Sequence, residues 1–305
     1  AIEDLERVID ENDIDESDLL FYPNIDYVSL CALSGLLQKR NLSSFPRIAV
    51  RFIGVLEYPS ERDILSLELL ICSLVFAADA GLPIAFSAES AVLARRLSEL
   101  YGIHCAQTPT LSDFAYLPLR PVEQLNILAP GSGRPDKGFY RLAAICRHLS
   151  ESMSRPFTLF AQDMPVYRYQ KPSSSVSLPV DVPEVVMLPS ALPATSLLAL
   201  MQASHVVVLP YESSVYQYRS SAIMVDAACT GRPIVASGGC GFSEDIERFD
   251  LGFLAYSTSD FAEKISYLSE RVCGSIDSAY MEKASSSYAS YSHKAIVDNL
   301  AGLLR

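Results

Sequence analysis

Apolar residues along this chain recur at two periods, near two and near four, and the period switches repeatedly. Residues 1–20 read as one acidic amphipathic helix, with Leu5, Val8 and Ile9 on one side and an acidic tail. "LLFYPN" is a short strand ending at a turn. "DYVSLCALSGLLQKR" repeats apolar residues at helical spacing, and "PRIAVRFIGV" is β-branched, hence a strand. A largely apolar helix spans 62–79. "GLPIAFSAES" is strand plus turn, Ala88–Tyr101 is helical, and "IHCAQTP" is a short strand. Prolines then punctuate 108–122, which marks a domain boundary.

The alternation resumes in the second half. "LNILAPGSG" is a strand running into a glycine loop, "KGFYRLAAICRHLSE" a helix that begins near Lys137, and "FTLFAQ" a strand. Residues 163–183, rich in Pro, Ser and Tyr, read as a long loop. "VVMLPS" is a strand, "ATSLLALMQAS" a helix and "HVVVLPY" a strand. "SAIMVDAACTG" is a helix closed by Gly231 as a left-handed cap. "RPIVAS" is the next strand, and the terminal "YASYSHKAIVDNLAGLL" is amphipathic.

Short β-branched strands alternating with helices imply parallel sheets with covered faces. The expected fold class is α/β, with two doubly wound, Rossmann-like domains joined at 108–122. Ligands of such sheets bind beyond the carboxyl ends of the strands, so the cleft between the halves is the expected site.

Composition narrows the function. The chain has 305 residues, 50% hydrophobic and 20% charged, which suits two globular domains. A net charge of −12 argues against nucleic acid as a partner. The seven cysteines are scattered without a CxxC pair, and no His lies at metal-ligand spacing, so buried, reduced thiols in a cytoplasmic protein and no metal site are expected. The longest apolar run, "ILSLELLICSLVFAADAGLP", is interrupted by Glu68 and Asp79 and reads as a buried helix rather than a membrane span. The chain starts at Ala1 in an acidic segment, as expected of a fragment or a processed product.

Two stretches carry candidate chemistry. In "APGSGRPDKG", Gly131, Ser132 and Gly133 let a backbone approach a ligand, while Arg134 and Lys137 supply cations suited to phosphate. The spacing is neither GxGxxG nor a Walker loop, and an ordinary surface turn has the same composition. In "SSAIMVDAACTGRPIVA", Ile223, Met224, Val225, Ala227 and Ala228 surround the helix, so it is largely buried. Asp226 shares its narrow face with Ala222, Cys229 and Thr230. A buried carboxylate needs donors; ribose hydroxyls, Arg232 or local backbone groups would each serve. Ser220 and Ser221 precede that helix at its positive end, a seat for a diphosphate. Together the two stretches fit a diphosphate and a ribose, as in a nucleotide-sugar donor.

These residues carry a resemblance. "ILAPGSGRPDKGFYRL", "ASHVVVLPY" and "YRSSAIMVDAACTGRPIVAS" resemble the donor half of GT-B glycosyltransferases, near glycosyltransferase family 4. "FSAESAVLARRLSELYGIHCAQTPT" resembles the end of that group's acceptor domain. The terminal helix is similar to one that crosses back onto the first domain. The implied organisation is a partial acceptor-side domain, 1–119, a donor-binding domain, 120–285, and a returning helix, 286–305. On this resemblance the start of the acceptor domain is expected to be lacking.

The resemblance implies retaining, metal-independent hexosyl transfer from a nucleotide diphosphate sugar, with no cofactor. It implies a glycan or lipid-linked acceptor in surface polysaccharide synthesis, and a cytoplasmic protein with peripheral contact at the inner membrane. Arg134 and Lys137 stand where the family neutralises the leaving diphosphate. Asp226 stands where a Glu binds ribose. Tyr218 stands where a second Glu faces the donor sugar, and Ser221 replaces a glycine; Ser220 and Ala222 flank it. Glu212 is the nearby carboxylate considered for the missing role. On the acceptor side, Arg51 interrupts an apolar strand with Gly54 behind it. The four histidines lie in no catalytic context, and His205 and His148 read as structural. A non-catalytic nucleotide-sugar-binding or partner protein is the competing reading. A nucleotide-sugar epimerase would need carboxylates and a histidine with no place here.

Overall fold

The first helix is shorter than the apolar pattern suggests. It runs Ile2–Glu11 (α1) and stops where the Asn12 amide donates to the Val8 carbonyl and Asp13 turns to a φ of 52°. Asp15 then accepts from Ser17 in a tight turn, so the acidic tail is a turn rather than helix. The computed structural model describes residues 1–54, 61–119, 123–163, 184–274 and 278–302. The chain forms two units, Ala1–Pro109 with Ser292–Arg305, and Thr110–Tyr291.

The first unit continues with β1 (Leu19–Ile25), α2 (Tyr27–Lys39), β2 (Arg47–Phe52), α3 (Glu61–Asp79), β3 (Ile84–Ala88), α4 (Ala91–Tyr101) and β4 (Cys105–Gln107). Asp26 and Ser90 cap α2 and α4, and Gly102 closes α4 in the left-handed conformation. All four strands are parallel in the order β1-β2-β3-β4. Ile48, Val50 and Phe52 are fully buried in the middle of that sheet. The expected double winding is not seen among the described residues, where the order runs one way without a reversal.

The second unit holds β5 (Leu125–Ala129), α5 (Leu142–Ser152), β6 (Phe157–Gln162), β7 (Val185–Leu188), α6 (Ala194–Ala203), β8 (Val206–Leu209), α7 (Ser213–Tyr216), α8 (Ala222–Cys229) and β9 (Ile234–Ser237). Residues 238–287, given no element from the sequence, add α9 (Ser243–Arg248), β10 (Gly252–Ala255), α10 (Thr258–Gly274) and the start of α11 (Ser278–Ala301). The expected loop at 163–183 lies, from 164 on, outside the described residues.

The second sheet is parallel in the order β10-β9-β8-β5-β6-β7. In chain order that is the 3-2-1-4-5-6 of a Rossmann unit, reversing between β5 and β8. Alternate residues feed separate cores. Val206 and Val208 pack with α5 and α10 on one face. Val207 and Leu209 pack with Met201 and the apolar side of α8 on the other. Both faces are covered, which is why the strands lack a polar side.

Two large buried polar groups in this unit are paired. Arg232, 1% exposed, donates to the carbonyls of Ser204, Leu117 and Thr230. The imidazole Nδ1 of buried His205 accepts the Asn126 N–H at 3.0 Å, the structural role expected of it. Burial holds the Cys105, Cys146 and Cys240 thiols up at about 12. The six described cysteines are unpaired, but Cys72 is exposed, against the expectation of uniformly buried thiols. Residues 110–119, assigned from the sequence to the first domain, group with the second unit. The reason is local. Leu117 N–H donates to the Thr230 carbonyl at 3.1 Å, and the Tyr116 ring lies where a Cβ on Gly231 would be, 2.5 Å away.

Candidate functional site

The strand order points to a candidate site at the carboxyl ends of β5 and β8, where the two loops leave in opposite directions. From β5, Pro130–Arg141 does not enter a helix at Lys137 as expected. It makes two short 3-10 turns, Pro135–Lys137 and Phe139–Arg141, and α5 starts only at Leu142. Gly138 is the cause. Its φ of 68° breaks any helix there, and a Cβ would fall on the Pro210 carbonyl. The glycine loop is thereby pressed against the segment leaving β8.

That close approach sets the position of Lys137. Its Nζ would be 2.6 Å from a Cβ on Gly131, and it sits 5.5 Å from the centre of the Tyr211 ring. Burial, reinforced by nearby Arg134 and opposed by Asp136, brings the ammonium down to about 8. Among the described residues it has no hydrogen bond or ion pair. The same Gly131 position is 3.5 Å from Ile223, in the first turn of α8. Lys137 therefore lies between a glycine loop and a helix N-terminus.

The loop's own N–H groups are mostly committed. Gly131 N–H donates to the Gln162 side chain at 2.8 Å, Gly133 N–H to the Asp163 carbonyl at 3.1 Å, and Arg134 N–H to the Ser132 carbonyl at 2.7 Å. Gln162, buried at the end of β6, uses its other amide end on the Ser190 carbonyl at 2.6 Å, so it ties the loop to the chain beyond β7. Arg134 pairs with Asp136 at 2.8 Å and donates to the Tyr216 hydroxyl at 3.0 Å. The loop thus presents a lysine and few amides, unlike a nest built of backbone donors.

The amides come from α8. Ser221 is its N-cap, accepting Met224 N–H at 3.2 Å, so its hydroxyl is used within the cap. The Ala222 and Ile223 N–H groups are the open pair of the first turn, without partners among the described residues. The Ser220 hydroxyl is buried and has no hydrogen bond among the described residues. Tyr211 joins both sides: its ring lies beneath Lys137 and its hydroxyl is 3.5 Å from Ser221 Oγ. The ring is 2% exposed and is fixed by Tyr216 at 4.6 Å and Phe242 at 5.8 Å. Tyr211 was missed from the sequence; its place directly after strand "HVVVLP" was the available signal. The cavity beneath, lined by Gly131, Lys137, Pro210 and Tyr211, measures about 10 Å³, room for about one water. A larger ligand does not fit within it.

One turn into α8, Asp226 is half-buried, not enclosed. Its partner is neither Arg232 nor the helix backbone. The Ser112 hydroxyl donates to Asp226 Oδ1 at 2.6 Å. Burial raises the carboxyl above its usual value, Ser112 lowers it, and Asp113 adds repulsion. Oδ2 takes no hydrogen bond among the described residues.

The remaining candidates fall elsewhere. Tyr218 is half-buried just before α8, beside Gly241 of the loop after β9. Glu212 is turned away from the Lys137 seat: Arg141 pairs with it at 2.7 Å and the Tyr140 hydroxyl donates to it. In the first unit Arg51 is 8% exposed and ties strands together, donating to the carbonyls of Thr108 at 2.7 Å and Pro23 at 3.2 Å. Gly54 takes a φ of 60° just past β2. Among the described residues no group of three metal-ligating side chains lies together, and no helix is long and apolar enough to cross a membrane.

Solved structures share this architecture over the whole chain. A glycosyltransferase from Rickettsia africae superposes with a TM-score of 0.63 at 13% identity, covering 99% of this chain and 77% of that one. The chain has the GT-B fold. Two other GT-B structures agree. TarM of S. aureus, solved with Fondaparinux, alpha-GlcNAc-glycerol and UDP, gives 0.63 at 12% identity, over 100% of this chain and 58% of its own. The UDP-forming alpha,alpha-trehalose-phosphate synthase of Burkholderia xenovorans, solved with glucose-6-phosphate, gives 0.62 at 13%, over 100% and 76%. No protein-family model and no curated sequence matches the chain. At these identities the GT-B likeness is one of fold.

Proposed function

We propose that this chain is a retaining glycosyltransferase of the family 4 type, moving a sugar from a nucleotide diphosphate sugar to a glycan or lipid-linked acceptor. The observation that carries the proposal is the Lys137 ammonium, half-buried and without a hydrogen bond or ion pair among the described residues, set between the glycine loop and the first turn of α8. Asp136 offsets only part of its burial, and a cation so placed is unfavourable unless a further anion completes it. A diphosphate supplies that charge, and the open Ala222 and Ile223 N–H groups face the same end of the helix.

In the proposed reaction the sugar C1–O bond breaks and its electron pair goes to the diphosphate, while C1 forms a bond to the acceptor hydroxyl oxygen, whose proton passes to the departing diphosphate. Charge grows on the leaving oxygens while the sugar passes through an oxocarbenium-like state. Lys137 and the α8 amides are fixed before the reaction and act more strongly on that developing charge than on the bound donor. Arg134 is the second cation and holds Asp136 and Tyr216 in place. Asp226 receives the ribose hydroxyls at its open Oδ2, which positions the donor. The other parts of the proposal rest on the sequence resemblance: a hexosyl donor without divalent metal, a role in surface polysaccharide synthesis, and a cytoplasmic setting with peripheral contact at the inner membrane.

Thermal shift with UDP, GDP, ADP and CDP tests the donor seat. A ligand at a hundred times its dissociation constant adds about 2.7 kcal/mol. One diphosphate is expected to raise the melting temperature by several degrees, and to lose that effect on Asp226→Ala. No shift with any of them removes the reading. Tyr218 favours a second reading, in which the chain binds a nucleotide sugar but transfers nothing, since Glu212 is committed to Arg141. Product formed from a labelled nucleotide sugar separates the two.

A further inference from the structure

The hydrogen bond between Ser112 and Asp226 joins residues 114 positions apart, and it reaches the α8 carboxylate from the segment that opens the second unit. That segment is held along α8 at its far end. Leu117 donates its N–H to Thr230 and receives Arg232 on its carbonyl, while the Tyr116 ring packs on Gly231. These anchors set Ser112 opposite Asp226. The Ser112 oxygen also accepts the Phe114 N–H at 3.1 Å. With that side of the oxygen occupied, its proton is left for Asp226 Oδ1, and the bond has a fixed direction.

We propose that Ser112 is a positioning residue of the nucleotide site: it holds Oδ1 of Asp226 so that Oδ2 is presented, ionised, to the ribose of a nucleoside diphosphate. The proposal rests on the donor reading above. A half-buried carboxylate with one donor depends on that donor. The titratable groups facing Asp226 are Asp113, in the same segment, and Cys229, next along α8. Neither stabilises its charge: Asp113 repels it, and the Cys229 thiol is held up at about 11. Ser112 is the group that lowers Asp226, so its removal raises the pH at which the carboxylate ionises.

Isothermal titration tests this with UDP, GDP, ADP and CDP on the parent, Asp226→Ala, Ser112→Ala and Ser112→Thr, between about pH 5 and about pH 8. Inorganic pyrophosphate is the ribose-free probe. Ser112→Ala is expected to weaken the preferred nucleoside diphosphate about tenfold at the acid end. The loss narrows towards pH 8 as Asp226 ionises regardless. Pyrophosphate binding stays within about twofold, and Ser112→Thr restores both affinity and pH profile. A merely structural contact predicts another pattern: equal losses for both probes, with the pH profile unmoved. That pattern overturns the inference, as does a Ser112→Ala protein that binds like the parent. If Ser112→Ala does not fold, Ser112→Cys, with a weaker donor, is expected to give a smaller shift of the same sign; no shift overturns the inference. If the parent binds no nucleoside diphosphate, the donor reading fails and takes this inference with it. If the parent binds and Asp226→Ala does not, but Ser112→Ala is unaltered, this inference alone fails.

Discussion

Replacing Lys137 by Met is expected to lower sugar transfer by about 100- to 1,000-fold while the protein becomes no less stable. The two halves of that result have one cause. Burial against Gly131 and Tyr211 depresses the ammonium to about 8, so the folded chain holds a charge it would more easily hold unfolded. The cost at neutral pH is on the order of 3 kcal/mol, and Met, similar in length and apolar, removes it. A diphosphate repays that cost when it binds, which concentrates the interaction where charge develops. Steady-state kinetics checks the first half, and chemical denaturation the second. Unchanged turnover in Lys137→Met removes the residue from the mechanism.

The sign of the pH dependence follows from the same depression. Between about 8 and the ordinary lysine value of 10.5, the unfolded chain carries the proton and the folded one does not. Stability contributed by this group therefore rises with pH through that window. Diphosphate affinity runs the other way, since the anion needs the ammonium: it is expected to be level below about pH 8 and to weaken above it. Lys137→Met should show neither slope. A parent protein whose affinity is flat up to pH 10 contradicts this account.

Gly138→Ala is the change expected to damage the fold most at this site. Its φ of 68° disfavours any side chain, and the added methyl meets the Pro210 carbonyl, a backbone atom that cannot rotate away. Strain at such a position, added to a clash with main chain, is expected to cost about 3–5 kcal/mol. The loss also reaches function, since the approach of the glycine loop to Pro210 places Lys137 over Tyr211. Urea denaturation of Gly138→Ala gives the cost directly. A loss below about 1 kcal/mol, the scale of an ordinary surface glycine, would mean that the loop relaxes without difficulty.

Much of this architecture was legible in the chain. Period and β-branching placed strands β1 to β9 and most helices between them, because both faces of a parallel sheet are buried and the strands must be apolar. The left-handed cap at Gly231 was legible, since few other residues close a helix that way. The glycine loop, Lys137 and Asp226 were visible as residue types unusual for their surroundings. Local pattern failed at 1–20, where Asp13, Asp15 and Ser17 turned a polar run into a turn. It failed again at Lys137, where Gly138 broke the expected helix.

Contacts distant in sequence lay beyond any local pattern. The order of the first sheet depends on which strand edges meet, so its single direction was not readable from spacing. Arg51 looked like a cleft residue, but its donors close on the carbonyls of Pro23 and Thr108. The partner of Asp226 is Ser112, 114 residues away in another segment. Tyr211 gained its place only when β8 lay beside β5. Sequence determined most of the strands and helices outside 238–287, since local propensity and burial on both faces leave a periodic trace. Tertiary structure alone decided which carboxylate, cation and hydroxyl meet, because hydrogen bonds and close approaches are set by three-dimensional distance, which no one-dimensional spacing encodes.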